Sequence, residues 1–380
     1  MPLAMILVEG YRSVRKVWTR LDRLNLVLGP NGSGKTNLHR ALGLLVSAAS
    51  GTLARAVVEE GGMPSLGWAG DRRNNDPVRV TVEARFHDFT YALEIGLVTH
   101  PGKTIFFRDP EVKTERIALS EKAKRPVVLL ERKGPSAWLR DDAGKRMTYP
   151  MELSPSESVL GQLRDRHRWP EVSAVVDRVR AWRFYEHFRT DPDSPIRHPQ
   201  VGVRTHSLAN DGRDLASVLQ TIREVGDSES LDVAIEDAFP GARLVIEADE
   251  AVRAVVALQM PKIHRPLEAR EMSDGTLRFL CLAAALLSPR PPELLALNEP
   301  ETSLHGRLLP ALARLLVRAS KDSQVLITTH SRSLAEQIAE LSPGTRTIEL
   351  QLVNGETRIA NQRLVEEDEE EEDEDGNEDS

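Results

Sequence analysis

The pattern of hydrophobic and polar positions is clearest in the last third of the chain, where strand-like and helix-like stretches alternate. Continuous apolar runs at 293–298 and 323–330 predict buried strands. Each run is followed by apolar residues at helical spacing, at 305–320 and at 331–341. Because strands that alternate with helices are typical of a parallel sheet covered by helices, this part of the chain is predicted to be α/β.

The first part of the chain has the alternation that is typical of antiparallel strands. Residues 78–86 place apolar side chains on one face, and 91–97 continue the pattern after a short turn. This pattern predicts a hairpin, which 126–131 extends. The opening residues, 5–21, are predicted to form strands of the same sheet as the short apolar strand at 24–28.

The middle of the chain is predicted to be mostly helical. Helical spacing runs from 154 to 182 and again over 214–225, with a proline-marked loop between them. Two strands, 242–248 and 252–260, follow, and the last predicted element is a hairpin turned at Asn354-Gly355. There is no internal repeat and no sustained heptad pattern before residue 272, so a long coiled coil is not expected.

Composition is that of a globular protein of the cytoplasm. The 380 residues, 40% hydrophobic and 28% charged, can form one large domain or two smaller ones. The longest apolar run, 279–287, is too short to span a bilayer, and no basic residue precedes the N-terminal apolar run as it does in a secretory signal. The single cysteine, Cys281, excludes an internal disulfide and is predicted to be a core residue. We therefore expect a cytoplasmic protein without a membrane partner.

Charge is distributed unevenly along the chain. Twelve of the last fifteen residues are acidic, and without them the net charge of −8 becomes +4 for residues 1–365. A block of like charges without apolar residues predicts a disordered tail over 366–380. This tail either aids solubility or mimics nucleic acid and competes for the protein's own basic surface. The excess of 40 arginines over 10 lysines does not by itself indicate DNA binding.

The motif with the clearest chemistry lies within residues 24–47. A short apolar strand leads into Gly29 to Thr36, which match G-x-x-x-x-G-K-[ST], and a helical pattern follows, as a phosphate-binding loop requires. Glycines let backbone N–H groups close around phosphate oxygens at the positive end of a helix. Lys35 is predicted to contact the outer phosphates, and the Thr36 hydroxyl to ligate Mg²⁺. The other predicted contacts of the phosphates come from Gly29, Asn31, Gly32, Ser33, Gly34 and Asn37.

A second apolar strand ends in "NEP" at residues 298–300 and is the candidate partner of this loop. At the carboxyl end of a parallel strand, Glu299 would face the nucleotide and could orient the attacking water. Asn298 stands where a nucleotide-hydrolysing enzyme is expected to have an aspartate. Its amide oxygen can still accept a hydrogen bond from a water bound to Mg²⁺, but it lacks the negative charge.

Two further stretches carry candidate site residues. His330 ends another buried strand, where it could contact the terminal phosphate and sense its loss. Ser273 and Gly275 begin a helix and are candidates for a second anion site. Because the chain already has its own phosphate loop, the second site is predicted to take a phosphate from another subunit, with the nucleotide between two chains. A plain helix cap is the alternative.

Together these residues resemble the ABC-type ATPases of the RecF/SMC group and the predicted bacterial ATPases close to them. "GPNGSGKT" is similar to their Walker A loop, "MSDGT" to their signature motif, "LLALNEPETSLH" to their Walker B and D-loop, and "TTHS" to their switch histidine. "VEGYRSVRKV" resembles the first strand of RecF-like proteins. The resemblance covers residues 3–363.

The resemblance implies an ABC-type head, which is a P-loop NTPase fold with a mixed or parallel sheet, an antiparallel β lobe and a helical lobe. The expected head is a single domain over 1–365. Its parts are the loop and antiparallel lobe at 1–150, the helical lobe at 151–240 and the signature, Walker B and switch half at 241–365. The resemblance also implies ATP as the nucleotide and ATP-dependent dimerisation, with Lys35 and Thr36 of one chain facing Ser273 and Gly275 of the other.

The sequence departs from this family pattern at three points. Asn298 replaces the usual aspartate, so Mg²⁺ should be held more weakly and hydrolysis should be slow. His305 stands where many members have the D-loop aspartate. The Q-loop glutamine is not marked by a motif, and Gln162 is the candidate for it.

The leading hypothesis is an Mg²⁺-dependent ATPase that dimerises around ATP and acts on duplex DNA in repair or genome maintenance. A second is an anti-phage defence ATPase with an effector partner, and a third is a switch that dimerises on ATP without hydrolysing it. A transporter subunit is disfavoured because the signature departs from LSGGQ and the opening is RecF-like. The role on DNA follows from the resemblance alone.

Overall fold

The computed structural model describes residues 2–72, 76–98, 104–119, 126–164, 166–248, 250 and 253–360. The acidic tail predicted over 366–380 therefore lies outside the described residues. None of the helices in the described ranges is both long and apolar enough to cross a membrane.

The strands and helices alternate irregularly along the chain. The strands are β1 (Leu3–Tyr11), β2 (Val14–Arg20), β3 (Leu24–Leu28), β4 (Arg79–Phe86), β5 (Phe89–Leu97), β6 (Pro110–Leu119), β7 (Val128–Lys133), β8 (Ser136–Arg140), β9 (Arg146–Thr148), β10 (Arg183–Tyr185), β11 (Gln200–Val201), β12 (Arg243–Ala248), β13 (Arg253–Gln259), β14 (Leu267–Glu268), β15 (Leu294–Asn298), β16 (Gln324–Thr329), β17 (Arg346–Val353) and β18 (Glu356–Ile359). The α-helices are α1 (Lys35–Ser50), α2 (Leu53–Glu59), α3 (Met63–Leu66), α4 (Val159–Gln162), α5 (Pro170–Arg180), α6 (Leu215–Val225), α7 (Ser228–Ala238), α8 (Asp274–Leu286), α9 (Leu309–Ala319) and α10 (Arg332–Leu341).

The central sheet has the strand order β10-β15-β16-β3-β17-β18. All neighbours up to β17 are parallel, and only β18 turns back, so the predicted parallel sheet is confirmed. Strands β3, β15 and β16 are buried almost throughout because helices cover both faces, which explains their continuous apolar runs. The carboxyl ends of five strands therefore meet at one edge of the sheet.

Alternate side chains of the central strands belong to two different hydrophobic clusters. In β15, Leu294 and Ala296 pack with α1, α5 and the antiparallel strands, whereas Leu295 and Leu297 pack with α6, α8 and α9. This two-sided burial follows from the period of two along a strand. Cys281 is fully buried in the second cluster, as its apolar surroundings predict, and burial raises the pKa of its thiol.

A second, antiparallel sheet has the order β2-β1-β4-β5-β6-β7-β8-β9. The predicted hairpin is confirmed as β4 and β5, but the run at 126–131 falls in β7, which β6 separates from β5. The prediction that the opening strands share the sheet of β3 is wrong, because β1 pairs with β2 and β4 in the antiparallel sheet. The apolar pattern of 5–21 fits either sheet, and only long-range pairing decides between them.

The helical region also differs from its prediction in detail. The helical stretch expected over 154–182 consists of two helices: α4 ends at Gln162, and α5 begins at Pro170, whose ring is suited to the first turn of a helix. Helix α7 follows α6 directly and was not predicted. Strands β11 to β14 form a small third sheet beside these helices. The domain boundaries proposed from the sequence remain predictions.

Gln324 joins the N-terminus of the antiparallel sheet to the central sheet. Its buried side chain accepts a hydrogen bond from the Leu3 N–H at 2.8 Å. It donates to the carbonyl oxygens of Leu3 at 2.8 Å and of Asp22 at 2.7 Å. Because the Leu3 backbone groups are buried, the amide of Gln324 supplies partners that solvent does not replace.

Replacing Gln324 by Leu is expected to lower the free energy of unfolding by about 2–4 kcal/mol, because buried backbone groups lose their partners. Urea-induced unfolding measures the change. The control is Gln351→Leu at an exposed position of β17, for which a change within about 0.5 kcal/mol is expected. Equal effects of the two substitutions would refute the bracing role of Gln324.

Candidate functional site

The predicted phosphate loop connects β3 to α1 at the carboxyl edge of the central sheet. Gly32 and Gly34 have φ of 82° and 97°, in the left-handed region that favours glycine. A Cβ on Gly34 would lie 2.1 Å from the Thr357 hydroxyl oxygen, so this position has no room for a side chain. No side chain caps the first turn of α1 within the described residues, which leaves its N–H groups to a ligand.

The side chain of Lys35 lies under this loop and is only 3% exposed. Its Nζ donates to the carbonyl oxygens of Gly29 at 2.8 Å and Pro30 at 3.0 Å. The same atom is 3.6 Å from Oε1 of Glu299. Lys35 therefore places a buried positive charge between the loop and the end of β15.

Thr36 and Asn298, the two predicted contacts of Mg²⁺, are brought together. Oδ1 of Asn298 accepts hydrogen bonds from the hydroxyls of Thr36 at 3.3 Å and Thr328 at 2.6 Å. These neutral oxygens are hard ligands that suit Mg²⁺ when phosphates and waters supply the remaining ones. No group of three or more His, Cys, Asp or Glu side chains able to hold a metal occurs in the described ranges, so a dedicated protein cage is absent there.

Glu299 has a strained backbone at the point where β15 ends. Its φ of 47° is in the left-handed region, which is uncommon for residues other than glycine. The conformation is held by a hydrogen bond from its N–H to the Thr328 carbonyl at 2.9 Å. As a result the carboxylate lies between Lys35 and His330, whose Nδ1 is 3.6 Å from Oε2 of Glu299.

A second carboxylate, which the sequence analysis missed, also contacts His330. Oε1 of Glu301 lies 3.4 Å from Nδ1 of His330 and accepts a hydrogen bond from the Thr329 hydroxyl at 2.5 Å. Glu301 is 8% exposed, whereas the His330 side chain is 45% exposed. In the sequence, the feature that could have indicated Glu301 is its position two residues after Glu299, just beyond the end of a buried strand.

The other loop residues have different surroundings. Asn31 and Gly32 are exposed at the tip, and Ser33 is buried with no hydrogen-bond partner for its hydroxyl among the described residues. A Cβ on Gly29 would lie 2.6 Å from the backbone carbonyl oxygen of Leu350, so glycine is required there. The Asn37 amide donates a hydrogen bond to the Ser13 hydroxyl at 2.8 Å.

Two hairpins hold the loop from the side. The hydroxyl of Ser13, between β1 and β2, is 2.8 Å from that of Thr357 in β18. The N–H of Thr357 also donates to the carbonyl oxygen of Ser13 at 2.7 Å. The first and last parts of the described chain therefore meet against Gly34 and Asn37, a contact that no local motif could reveal.

The candidate second anion site lies elsewhere, at the start of α8. Ser273 is exposed and caps the helix by accepting a hydrogen bond from the Thr276 N–H at 3.2 Å. A Cβ on Gly275 would lie 2.9 Å from the Ser303 carbonyl oxygen. Among the described residues, neither Ser273 nor Gly275 has a hydrogen bond or ion pair with the phosphate loop of its own chain.

Gln162, the sequence-based candidate for the Q-loop, is not at the site. Its α4 packs at the far end of α1, where Gly161 approaches Gly51, and α1 is roughly 24 Å long. The Gln162 amide bonds to the carbonyls of Glu157 at 3.0 Å and Ser158 at 3.2 Å. Its side chain therefore stabilises the local backbone of residues 154–158.

On the side away from β16, β15 pairs with β10. Glu186 and His187 follow the carboxyl end of β10 and lie at the edge of the sheet. Tyr185 pairs with Leu297, so Glu186 is level with Asn298. Glu186 accepts a hydrogen bond from Arg40 of α1 at 2.8 Å. Burial lowers the pKa of His187, and the charge of Arg278 acts in the same direction, whereas Glu186 opposes both.

His305, which stands at the position of the D-loop aspartate, has a capping role. Its Nδ1 accepts a hydrogen bond from the Arg307 N–H at 3.2 Å, at the start of a short 3₁₀ helix over Gly306–Leu308. The site therefore gains no carboxylate at this point.

The comparisons with known proteins concern the family and the fold of the chain. Residues 24–336 match the family model described as "AAA domain, putative AbiEii toxin, Type IV TA system". No curated protein matches the sequence.

Among solved structures, an SMC head bound to the C-terminal winged-helix domain of ScpA matches with a TM-score of 0.56 and 16% identity. The match covers 96% of this chain and 99% of that one. An SMC head with an extended coiled coil, bound to the C-terminal domain of ScpA and derived from Pyrococcus furiosus, matches with a TM-score of 0.53 and 15% identity. That match covers 94% of this chain and 96% of the other. At these identities the likeness concerns the fold. The chain thus has the fold of an ABC/SMC-like P-loop ATPase head, and it belongs to the AAA-domain family of putative AbiEii toxins.

Proposed function

We propose that this protein binds ATP at the loop between β3 and α1 and hydrolyses it with Mg²⁺. The observation that carries the proposal is the convergence of Lys35, Glu299 and His330 at the uncapped start of α1, although they lie far apart in sequence. A buried lysine, a carboxylate and an imidazole around an anion site are what phosphoryl transfer to water requires.

Each residue has a distinct part in this proposal. Lys35 exchanges the carbonyls of Gly29 and Pro30 for the outer phosphate oxygens, where its charge opposes their repulsion. Glu299 orients the attacking water as a hydrogen-bond acceptor, and His330 contacts the terminal phosphate. Thr36 and Asn298 would hold Mg²⁺, which when bound neutralises part of the phosphate charge.

The start of α8 is proposed to complete the site of a second copy of the chain. Ser273 is exposed at that helix end and is separate from the loop of its own chain, as a contribution to a partner's nucleotide requires. ATP would then hold two heads together. The solved SMC heads are bound to parts of ScpA, which supports a further protein partner that reads the state of the dimer.

Mg²⁺-dependent release of phosphate from ATP, measured with and without duplex DNA, tests the proposal. Wild-type protein is expected to turn over slowly, and Lys35→Ala is expected to lose at least about 100-fold of the rate, because the buried charge is removed. Bound ATP without turnover would overturn hydrolysis and leave a dimerisation switch.

Comparing the ATPase rates with and without duplex DNA distinguishes a role in DNA repair or genome maintenance from a role in defence. Stimulation by duplex DNA would favour repair or genome maintenance. The family description, which names a toxin of a type IV toxin–antitoxin system, favours a defence component instead, and a rate indifferent to DNA agrees with that second candidate.

Asn298→Asp is expected to lower the Mg²⁺ concentration for half-maximal rate roughly fivefold, because a carboxylate adds on the order of 1 kcal/mol of attraction for the cation. The measurement is a Mg²⁺ titration of the ATPase rate. Asn354→Asp, in the exposed β17–β18 turn, is the matched control and should leave the midpoint unchanged. An unchanged midpoint in Asn298→Asp would exclude Asn298 from the metal site.

Glu299→Gln is expected to accumulate as a dimer when ATP and Mg²⁺ are present, because it loses the water-orienting carboxylate and keeps the phosphate contacts. Light scattering coupled to size-exclusion chromatography gives the mass, and Lys35→Ala should stay monomeric under the same conditions. A monomeric Glu299→Gln with ATP demonstrably bound would refute the nucleotide sandwich.

A further inference from the structure

Glu301 is a buried acidic residue in the turn that follows β15. Its backbone is fixed on both sides, because Thr302 donates to the Glu299 carbonyl at 3.1 Å and Leu304 donates to the Glu301 carbonyl at 3.0 Å. Burying a carboxylate is costly unless its contacts repay the cost. One of its oxygens, Oε2, is buried without a hydrogen-bond partner among the described residues. The contacts that offset the desolvation of the carboxylate are therefore made by Oε1.

The other oxygen, Oε1, contacts three groups of Thr329 and His330, at the end of β16. It accepts from the Thr329 hydroxyl at 2.5 Å and from the His330 N–H at 3.2 Å, and it lies 3.4 Å from Nδ1 of His330. Thr329 is itself fixed, because its hydroxyl accepts from the Ser331 N–H at 3.0 Å. Glu301 Oε1 therefore contacts both the backbone N–H and the ring of His330.

The contact at Nδ1 decides what the rest of the imidazole can do. A carboxylate oxygen only accepts, so its position 3.4 Å from Nδ1 favours the tautomer that carries the proton on Nδ1 and leaves Nε2 available for another partner. Glu299 also approaches Nδ1, at 3.6 Å, but in the proposed reaction its carboxylate turns to the water. Glu301 has no such second task, and it can hold the ring throughout.

We propose that Glu301 is the positioning residue of the site, which keeps His330 in the Nδ1-protonated tautomer with Nε2 free for the terminal phosphate. The proposal rests on the function proposed above. It differs from a simple brace of the fold, because a brace would fix the turn without determining the tautomer of His330.

The tautomer of His330 is measured by long-range ¹H–¹⁵N NMR on protein with ¹⁵N-labelled histidine, at about pH 8.5, above the ordinary histidine pKa of about 6.5. His330→Asn identifies the resonance. Wild-type protein is expected to show the proton on Nδ1. A proton on Nε2 would overturn the proposal without any variant of Glu301, and this readout does not depend on ATP hydrolysis.

Two variants of similar volume separate positioning from packing. Glu301→Gln keeps an acceptor oxygen and is expected to keep the tautomer and a kcat within about threefold of wild type. Glu301→Met has no carboxylate or amide oxygen and is expected to lose the tautomer and to lower kcat by up to about 100-fold, the cost of misplacing a catalytic group by about 1 Å, with KM within about twofold. A Met variant that keeps both the wild-type spectrum and the wild-type kcat would refute the proposal.

The two proposals can fail separately. If wild-type protein does not hydrolyse ATP, the function proposed above fails, while the spectrum still reports whether Glu301 sets the tautomer of His330. If hydrolysis occurs and the tautomer is indifferent to residue 301, only the positioning role fails.

Discussion

The parallel pairing of β3, β16 and β15 is the constraint on which the site depends. Thr328 is level with Asn298 on one side and with Val27 on the other, so the loop before α1 and the turn after β15 start from the same edge. Because side chains alternate along a strand, a slip of one residue would move Thr328 to the opposite face and separate it from Asn298. The two hydrophobic clusters fix this register, since each strand must present its alternate residues to both of them.

The side chains of the site form a chain of neighbours in which each member has more than one contact. Lys35 is near Glu299, Glu299 is near His330, and His330 is near Glu301. Because Glu299 and His330 are partly exposed, these contacts add little to the free energy of unfolding. In the proposed reaction, an incoming phosphate competes with Glu299 for the charge of Lys35, so binding of the nucleotide would rearrange these contacts.

The sequence predicted the local parts of this site well and the long-range parts poorly. The glycine loop, the parallel strands and the helices after them follow from short patterns whose physics is contained within about ten residues. The sheet that β1 and β2 join, the role of β10 and the contact of Glu301 with His330 depend on which distant segments pair. Gln162 shows the limit clearly, because its type suits a site that its position in the fold does not reach. The predicted roles of Ser273 and Gly275 concern a second chain, which a single chain does not test.

The contact of Thr357 with Gly34 and Ser13 has a consequence for how the protein is made. The phosphate loop is complete as a peptide once residue 36 has been synthesised. Its strand, β3, pairs with β16 and β17, which come from residues 324–353, and the contact of Thr357 with Gly34 comes later still. Domains fold as units, with their N-terminal parts synthesised first. A ribosome-bound chain therefore carries an unfinished anion site until residues 324–357 have been synthesised, and termination between residues 36 and 357 yields a product with the motif but without all of the contacts that surround it.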